Sequence, residues 1–404
     1  MYQGINVFSE IAPLKTVLLH RPGKELLNLT PDTLSELLFD DIPFLKIARQ
    51  EHDIFAGILR ENGVKVLYLE ELMREVLEDK EVRKAFIQQF VEEGCFDKRY
   101  HKSLISYLES FEDDLQLVLK TMEGIKYNEV SSDIEVSLAD LTGDSNNMLV
   151  APMPNLYFTR DPFATIGNGV CINRMYYETR RRETIYGDYI FHHHPLYKDI
   201  RKYYDRKDPY HIEGGDILNL SKETIAIGIS QRTEANAIEF LAKHIFHDEQ
   251  SPLKKILVFS IPKNRSFMHL DTVFTQIDHD KFTIHPMISD TLRVFSLERG
   301  TQGNFSIKRE DDGLESILAK ALKLSSCKLI RCGGDDYIAS QREQWNDGSN
   351  TLCIAPGKIL VYERNEITNR LLESYGIEVL CTPSSELSRG RGGPRCMSMP
   401  LYRK

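Results

Sequence analysis

Between Pro43 and Pro152 the chain contains no proline. Proline removes a backbone donor and clashes with the preceding turn, so its absence leaves this stretch open to long helices. The apolar residues use that freedom. Leu104, Leu108, Phe111, Leu115, Val118 and Met122 recur at spacings of three or four, which lines one face of a helix. Residues 71–146, rich in Glu and Lys, read as almost continuous helix. Just before them Asn62-Gly63 closes a helix, and Val64-Lys65-Val66-Leu67-Tyr68-Leu69 reads as a strand. After them come short β-rich runs broken by turn signals and arginines. The pattern predicts a mixed α/β body made of residues 1–70 and 147–404, interrupted by a helical insertion at 71–146.

The body carries an internal echo. The run from Glu223 through Arg232-Thr233-Glu234 matches that from Gly357 through Arg364-Asn365-Glu366. Each is an apolar strand, then Arg-(Thr/Asn)-Glu, then a helical pattern and a second apolar strand, with Thr233 and Asn365 where an N-cap belongs. Glu213-Gly-Gly-Asp216 is partly echoed by Cys332-Gly-Gly-Asp335. Strand–strand–helix–strand modules of this kind suggest pseudo-symmetric blades around an axis, with sites where loops converge. Unrelated α/β units that happen to look alike would give the same echo.

Composition narrows the function classes. A length of 404 residues with 41% hydrophobic and 27% charged residues is that of an ordinary soluble globular protein. A net charge of −9 argues against nucleic acid as a partner. No apolar stretch approaches the ~18 residues that span a membrane, and the N-terminus lacks the pattern of a secretory signal. Seven cysteines, an odd number, do not suggest a disulfide framework. The expected setting is the cytoplasm.

Four polar clusters and the C-terminal segment could carry chemistry. In Ser388-Arg389-Gly390-Arg391-Gly392-Gly393-Pro394-Arg395-Cys396 a single thiol follows three arginines and three glycines. Cations stabilise a thiolate, so Cys396 is a candidate nucleophile; a buried structural cysteine is the plainer reading. His269 and Asp271 are two apart and would share a side of an extended segment, although a satisfied structural histidine is the commoner meaning. Glu213 and Asp216 flank two glycines that allow close ligand approach, or simply a turn. Phe158 and Asp161, in Asn155-Leu-Tyr-Phe-Thr-Arg-Asp-Pro162, could meet one ligand, and a turn before Pro162 explains them equally. Arg180, Arg181, Arg182 and Arg232 could bind an anion, though solvated charge is the default. His192-His193-His194 read as surface residues, because adjacent histidines on a regular element cannot converge on one ion.

Taken together, FTRDP at 158–162, EGGD at 213–216, FMHLDT at 267–272 and GRGGPRCMSMP at 390–400 resemble the bacterial arginine deiminases of the guanidino-group-modifying superfamily. The resemblance implies a five-fold pseudo-symmetric α/β propeller of ββαβ modules with a helical insertion. It implies hydrolysis of L-arginine to L-citrulline and ammonia with neither metal nor organic cofactor, in a homo-oligomer, dimer or tetramer. By the same resemblance Cys396 is the nucleophile, His269 the general acid/base and Glu213 its orienting carboxylate. Asp161 and Asp271 grip the guanidinium. Arg180 and Arg232 clamp the substrate carboxylate with Asn155, Phe158 forms a wall, and Arg391 is a mobile arginine near the thiol. A sibling enzyme on the same scaffold, such as an agmatine deiminase or an amidinotransferase, and a non-catalytic arginine binder are the competing readings.

Overall fold

Short apolar strands form the body, and their pairing repeats. In the computed structural model, which describes residues 4–130, 138, 148–263, 266–289 and 292–404, strand Lys358–Tyr362 takes Leu352–Ala355 antiparallel on one side and Glu378–Thr382 parallel on the other. A parallel partner requires a crossover, here helix Glu366–Ser374. The same triplet recurs as Ile217–Ser221, Thr224–Ile229 and Lys255–Ser260. It recurs again as Phe163–Ile166, Gly169–Ile172 and Arg201–Tyr204, and as Phe274–Gln276, Lys281–Ile284 and Lys328–Arg331. The last triplet joins the two ends of the chain: Leu14–Leu19 pairs antiparallel with Met399–Arg403 and parallel with Lys65–Tyr68. Central strands such as Thr224–Ile229 and Lys358–Tyr362 are buried on both faces, which is why they read as continuous apolar runs rather than alternating ones. One sheet is extended to five strands by Arg293–Arg299 and Phe305–Glu310.

The echo seen in sequence corresponds to two of these triplets, with one correction. The residue at the N-cap of helix Ala235–His247 is Glu234, not Thr233. The Thr233 hydroxyl instead accepts the Glu213 amide at 3.1 Å. Asn365 does occupy the N-cap of helix Glu366–Ser374, without a side-chain cap bond.

The proline-free stretch folds as separate helices, Leu69–Leu77, Lys80–Gly94, His101–Glu109 and Asp114–Glu123. Its breaks are chemical. Asp79 accepts the amides of Glu81 and Val82, and Asp113 accepts that of Leu115, so each aspartate starts a new helix. Gly124, with φ +85, ends the last one. Of the expected helix, residues 131–137 and 139–147 lie outside the described residues. No helix among the described residues is long and apolar enough to cross a membrane.

These helices share one hydrophobic core with the body: Leu104, Leu108, Val118 and Met122 pack in the cluster that also holds Phe163, Ile172 and Tyr186. Phe86 sits at its centre, with ring centroids 6.2 Å from Phe90, 6.1 Å from Tyr186 and 5.2 Å from Tyr189. The histidine run divides across this surface. His192 and His193 are exposed, whereas His194 is buried, bonded to Glu75 at 3.0 Å, because it terminates helix Thr184–His193 against the neighbouring helix. Phe86→Ala should remove about 3–5 kcal/mol of stability. Urea unfolding checks this, as a lower midpoint with an unchanged slope.

Candidate active site

Each reactive group stands just ahead of the antiparallel strand of a triplet. Asp161 precedes Phe163–Ile166, Glu213 precedes Ile217–Ser221, His269 and Asp271 precede Phe274–Gln276, and Cys396 precedes Met399–Arg403. The pieces are stitched through backbone. Arg160 N donates to Cys396 O at 3.1 Å, and Gly214 N to Asp161 O at 3.1 Å. The Thr159 hydroxyl lies 3.1 Å from Leu18 O and 3.2 Å from Met397 O.

Gly214–Asp216 forms a 3-10 turn, and its two glycines also serve this close assembly. A Cβ on Gly214 would collide with the Arg160 carbonyl oxygen, and one on Gly215 would stand 2.7 Å from Cγ of His269. His269 itself is extended, but Leu270–Thr272 is a single 3-10 turn, so His269 and Asp271 do not share a strand face. They reach the site through the turn, whose first amide, that of Leu270, donates to Asp216 Oδ1 at 2.8 Å.

The centre is buried. Cys396 Sγ lies 3.6 Å from Asp271 Oδ2. His269 Nε2 and Glu213 Oε2 are 2.7 Å apart, and His269 Nδ1 is 3.9 Å from Asp161 Oδ1. Three carboxylates are paired with arginines of the chain: Asp161 with Arg180 at 2.8 Å, Glu213 with Arg232 at 3.3 Å, and Asp271 with Arg395 at 2.7 Å. Arg180 also bonds Glu183 at 2.9 Å, and Arg395 bonds Glu10 at 3.1 Å. Asp161 Oδ1, Asp271 Oδ1 and Arg232 Nε are among the buried polar atoms with no hydrogen-bond partner, as is Oδ2 of the nearby Asp347.

These contacts set the protonation states. Burial, then Asp271, Asp161 and Asp347, push the Cys396 thiol well above its ordinary range, against the weaker pull of Arg395. Burial alone would depress the imidazole of His269, but Asp161 and Glu213 hold it at about 9. Burial opposes ionisation of Glu213, yet Arg232 and His269 bring it down to about 2. At neutral pH the resting centre is therefore a neutral thiol beside an imidazolium and an ionised glutamate.

The other sequence candidates sit at the margin. Asn155 Nδ2 donates to Leu37 O at 2.8 Å. Phe158 stacks on Tyr157 with centroids 4.0 Å apart and packs against Gly392 of the cysteine loop. Arg391 adopts a left-handed conformation with φ +63. Its guanidinium lies 3.4 Å from the centroid of Trp345 and 3.4 Å from Asp40. Among the run of three, Arg180 faces the centre, while Arg181 and Arg182 bond the carbonyls of Met175 and Ala151. Arg395, Glu10 and Asn350 were not singled out by sequence reasoning. Arg395 adjoins Cys396 in a conspicuous motif, whereas Glu10 and Asn350 carry no local signal.

A cavity of about 1010 Å³ is lined by Tyr177, Arg181 and Arg182 but by none of Cys396, His269, Asp161 or Asp271. Ligand atoms of Asp161, Glu213 and His269 lie within 4.8 Å of one another, as a metal would need. Arg180 and Arg232 already neutralise those carboxylates, so a dication would stand beside two fixed cations.

Known proteins bear on this site. A family model described as arginine deiminase matches residues 35–403. The arginine deiminase of Treponema denticola is 58% identical over 404 residues, covering 99% of this chain and 98% of the relative. That of Clostridium perfringens is 52% identical over 408 residues, covering 100% and 98%. Among solved structures, an amidinotransferase from Microseira wollei superposes with a TM-score of 0.54 at 15% identity, covering 99% of this chain and 97% of its own. A dimethylarginine dimethylaminohydrolase gives 0.52 at 15%, covering 96% and 99%. These two show an α/β fold held in common.

The close approach of residue 215 to the imidazole gives a direct test. Gly215→Ala should push His269 off Glu213 and return its titration from about 9 toward 6.5, as followed by NMR of the labelled imidazole.

Proposed function

This chain belongs to the arginine deiminase family, and we propose that its reaction runs on Cys396, His269, Glu213, Asp161 and Asp271. The enzyme is a hydrolase that converts L-arginine to L-citrulline and ammonia. The observation that carries the residue assignment is the pair of buried, unpartnered oxygens Asp161 Oδ1 and Asp271 Oδ1 beside the thiol. Such acceptors cost about 1–3 kcal/mol each when left unmade, and more when charged. A guanidinium offers them planar N–H donors.

Substrate entry then works by exchange. The substrate guanidinium replaces Arg180 at Asp161, and the substrate carboxylate replaces Asp161 at Arg180. Arg232, with its unpartnered Nε, takes the second carboxylate oxygen, beside Asn155 and Phe158. The incoming cation offsets the negative field of Asp271 and Asp161 that kept the thiol neutral, so Cys396 loses its proton where Asp271 Oδ2 is the acceptor within reach. The thiolate attacks the guanidinium carbon to give a tetrahedral adduct. Imidazolium His269 donates its proton to the departing amine, ammonia leaves, and an amidino-cysteine remains. Neutral His269 then takes a proton from water as it attacks that carbon; the carbon–sulfur bond breaks, the proton held at Asp271 returns to the sulfur, and the remaining hydroxyl proton leaves to make the released ammonia ammonium, so that citrulline and the thiol are restored. Glu213 keeps the imidazole charged for the first transfer.

The five strand triplets support a five-bladed pseudo-symmetric propeller with residues 71–146 as a helical insertion between 1–70 and 147–404. Seven unpaired cysteines support a reducing, cytoplasmic setting. The exposed Tyr337, Ile338 and Trp345 support a homo-oligomer.

A citrulline assay tests the core of this reading. Cys396→Ala should abolish product while leaving the urea midpoint near that of the parent; surviving turnover removes Cys396 as nucleophile. Agmatine, which lacks the carboxylate that Arg180 and Arg232 would bind, should be turned over far less well than arginine. The basic limb of the pH profile should fall near 9, where His269 loses its proton. Glu213→Gln, which removes an anion that favours the imidazolium, should move that limb down by roughly 1 unit.

A further inference from the structure

We propose that Asn350 is a positioning residue that fixes the nucleophile against Asp271, an inference that rests on the role of Cys396 given above. Four of the five strand triplets place an assigned group just ahead of their antiparallel strand. The fifth, beginning at Leu352–Ala355, places Asn350 there. Its side chain is fully buried and uses both of its ends. Oδ1 accepts the Cys396 amide at 3.0 Å, and Nδ2 donates to the Asp271 carbonyl at 3.2 Å. One planar amide thereby spans the two segments that hold the sulfur and its neighbouring carboxylate. Asp271 is gripped at both ends, its carbonyl by Asn350 and its carboxylate by Arg395.

The amide is itself held in place. Its backbone N–H donates to Asp347 O at 2.9 Å, in a turn where Asp347 takes φ +59. The adjoining Ser349 carbonyl accepts the Thr283 hydroxyl at 3.2 Å. The cysteine loop is shaped to receive it, since a Cβ on Gly393 would stand 2.6 Å from Asn350 O and 2.8 Å from Oδ1. Only a side chain of this length with one acceptor and one donor satisfies both partners. A carboxylate would set two lone-pair oxygens against the Asp271 carbonyl and add a charge beside the sulfur, whereas a protonated carboxyl has the same donor–acceptor pattern as the amide.

The experiment compares Asn350→Ala and Asn350→Asp with the parent and with Cys396→Ala, measuring kcat and KM for arginine, urea midpoints and pH dependence. Positioning predicts that kcat of Asn350→Ala falls on the order of 100-fold while KM stays within about threefold. It also predicts that the activity of Asn350→Asp, as a fraction of the parent, climbs as pH is lowered from about 8 to about 5, because burial at this position lifts the new carboxyl above its ordinary range and lets it take up a proton there. A kcat close to the parent's, a loss that merely follows the folded fraction, or a ratio flat with pH overturns the proposal. If Asn350→Ala fails to fold, the pH ratio of Asn350→Asp decides alone. Turnover by Cys396→Ala would instead break the underlying nucleophile assignment.

Discussion

Charge buried away from water has to be neutralised on the spot, and the arginine–carboxylate pairs around Cys396 meet that demand. Arg395 is the pivot. It lies fully buried between Glu10 and Asp271 and also donates to the Ile217 carbonyl at 2.7 Å. Breaking such a pair on one side typically costs about 3–5 kcal/mol, so the position of Asp271 is nearly as rigid as the backbone. Cys396 follows Arg395 directly, and the thiol inherits that rigidity.

The same pairing explains how a site rich in negative groups can exist before substrate arrives. Asp161, Glu213 and Asp271 each face a guanidinium already, one that belongs to the protein. Arginine as substrate presents the group that these carboxylates are adapted to bind, together with a carboxylate for the arginines it displaces. On the exchange proposed above, ion pairs at the substrate guanidinium and carboxylate are traded rather than created, which lowers the desolvation cost of binding those two groups. A ligand with the guanidinium but no carboxylate would leave Nη1 of Arg180, displaced from Asp161, without a replacement partner, although Glu183 would still hold the rest of that guanidinium. Selectivity thus follows from charge accounting at two atoms, without a sterically exclusive pocket. The neutral resting thiol belongs to the same logic, because its ionisation waits for the positive charge that only the substrate brings.

Much of this was legible in the sequence wherever a local pattern reports on local physics. The repeated strand–helix–strand runs and the helix closing at Asn62-Gly63 follow from period and turn chemistry, whereas Cys396, His269, Glu213, Asp161 and Asp271 come together in sequence only through the family resemblance of their motifs. The helical stretch reads as nearly continuous because its apolar period carries across the breaks, although Asp79 and Asp113 offer N-cap chemistry at two of the three. Thr233 was placed one residue early for a related reason: its hydroxyl is used by the distant Glu213 amide rather than by its own helix. The glycines of Glu213-Gly-Gly-Asp216 read as a turn or a ligand approach; the turn is there, and what they admit is the Arg160 carbonyl and the His269 ring. Glu10 and Asn350 were out of reach altogether. Their partners lie far along the chain, and nothing in the residues beside them announces a long-range bond.

That distance has a consequence for how the site comes into being. The Glu10–Arg395 pair spans 385 positions, Arg395–Asp271 spans 124 and His269–Glu213 spans 56. The Glu10–Arg395 pair depends on the triplet that joins Leu14–Leu19 to Met399–Arg403, because each partner lies just ahead of one of those two strands. The reactive groups on the loops ahead of each strand take their protonation states from burial and from arginines that other segments of the chain supply. A thiol in the open chain, with an ordinary pKa, keeps a few per cent of reactive thiolate at neutral pH. The closed assembly raises the Cys396 thiol well above that range beside a charged imidazole, so the same burial that builds the site suppresses stray thiol chemistry.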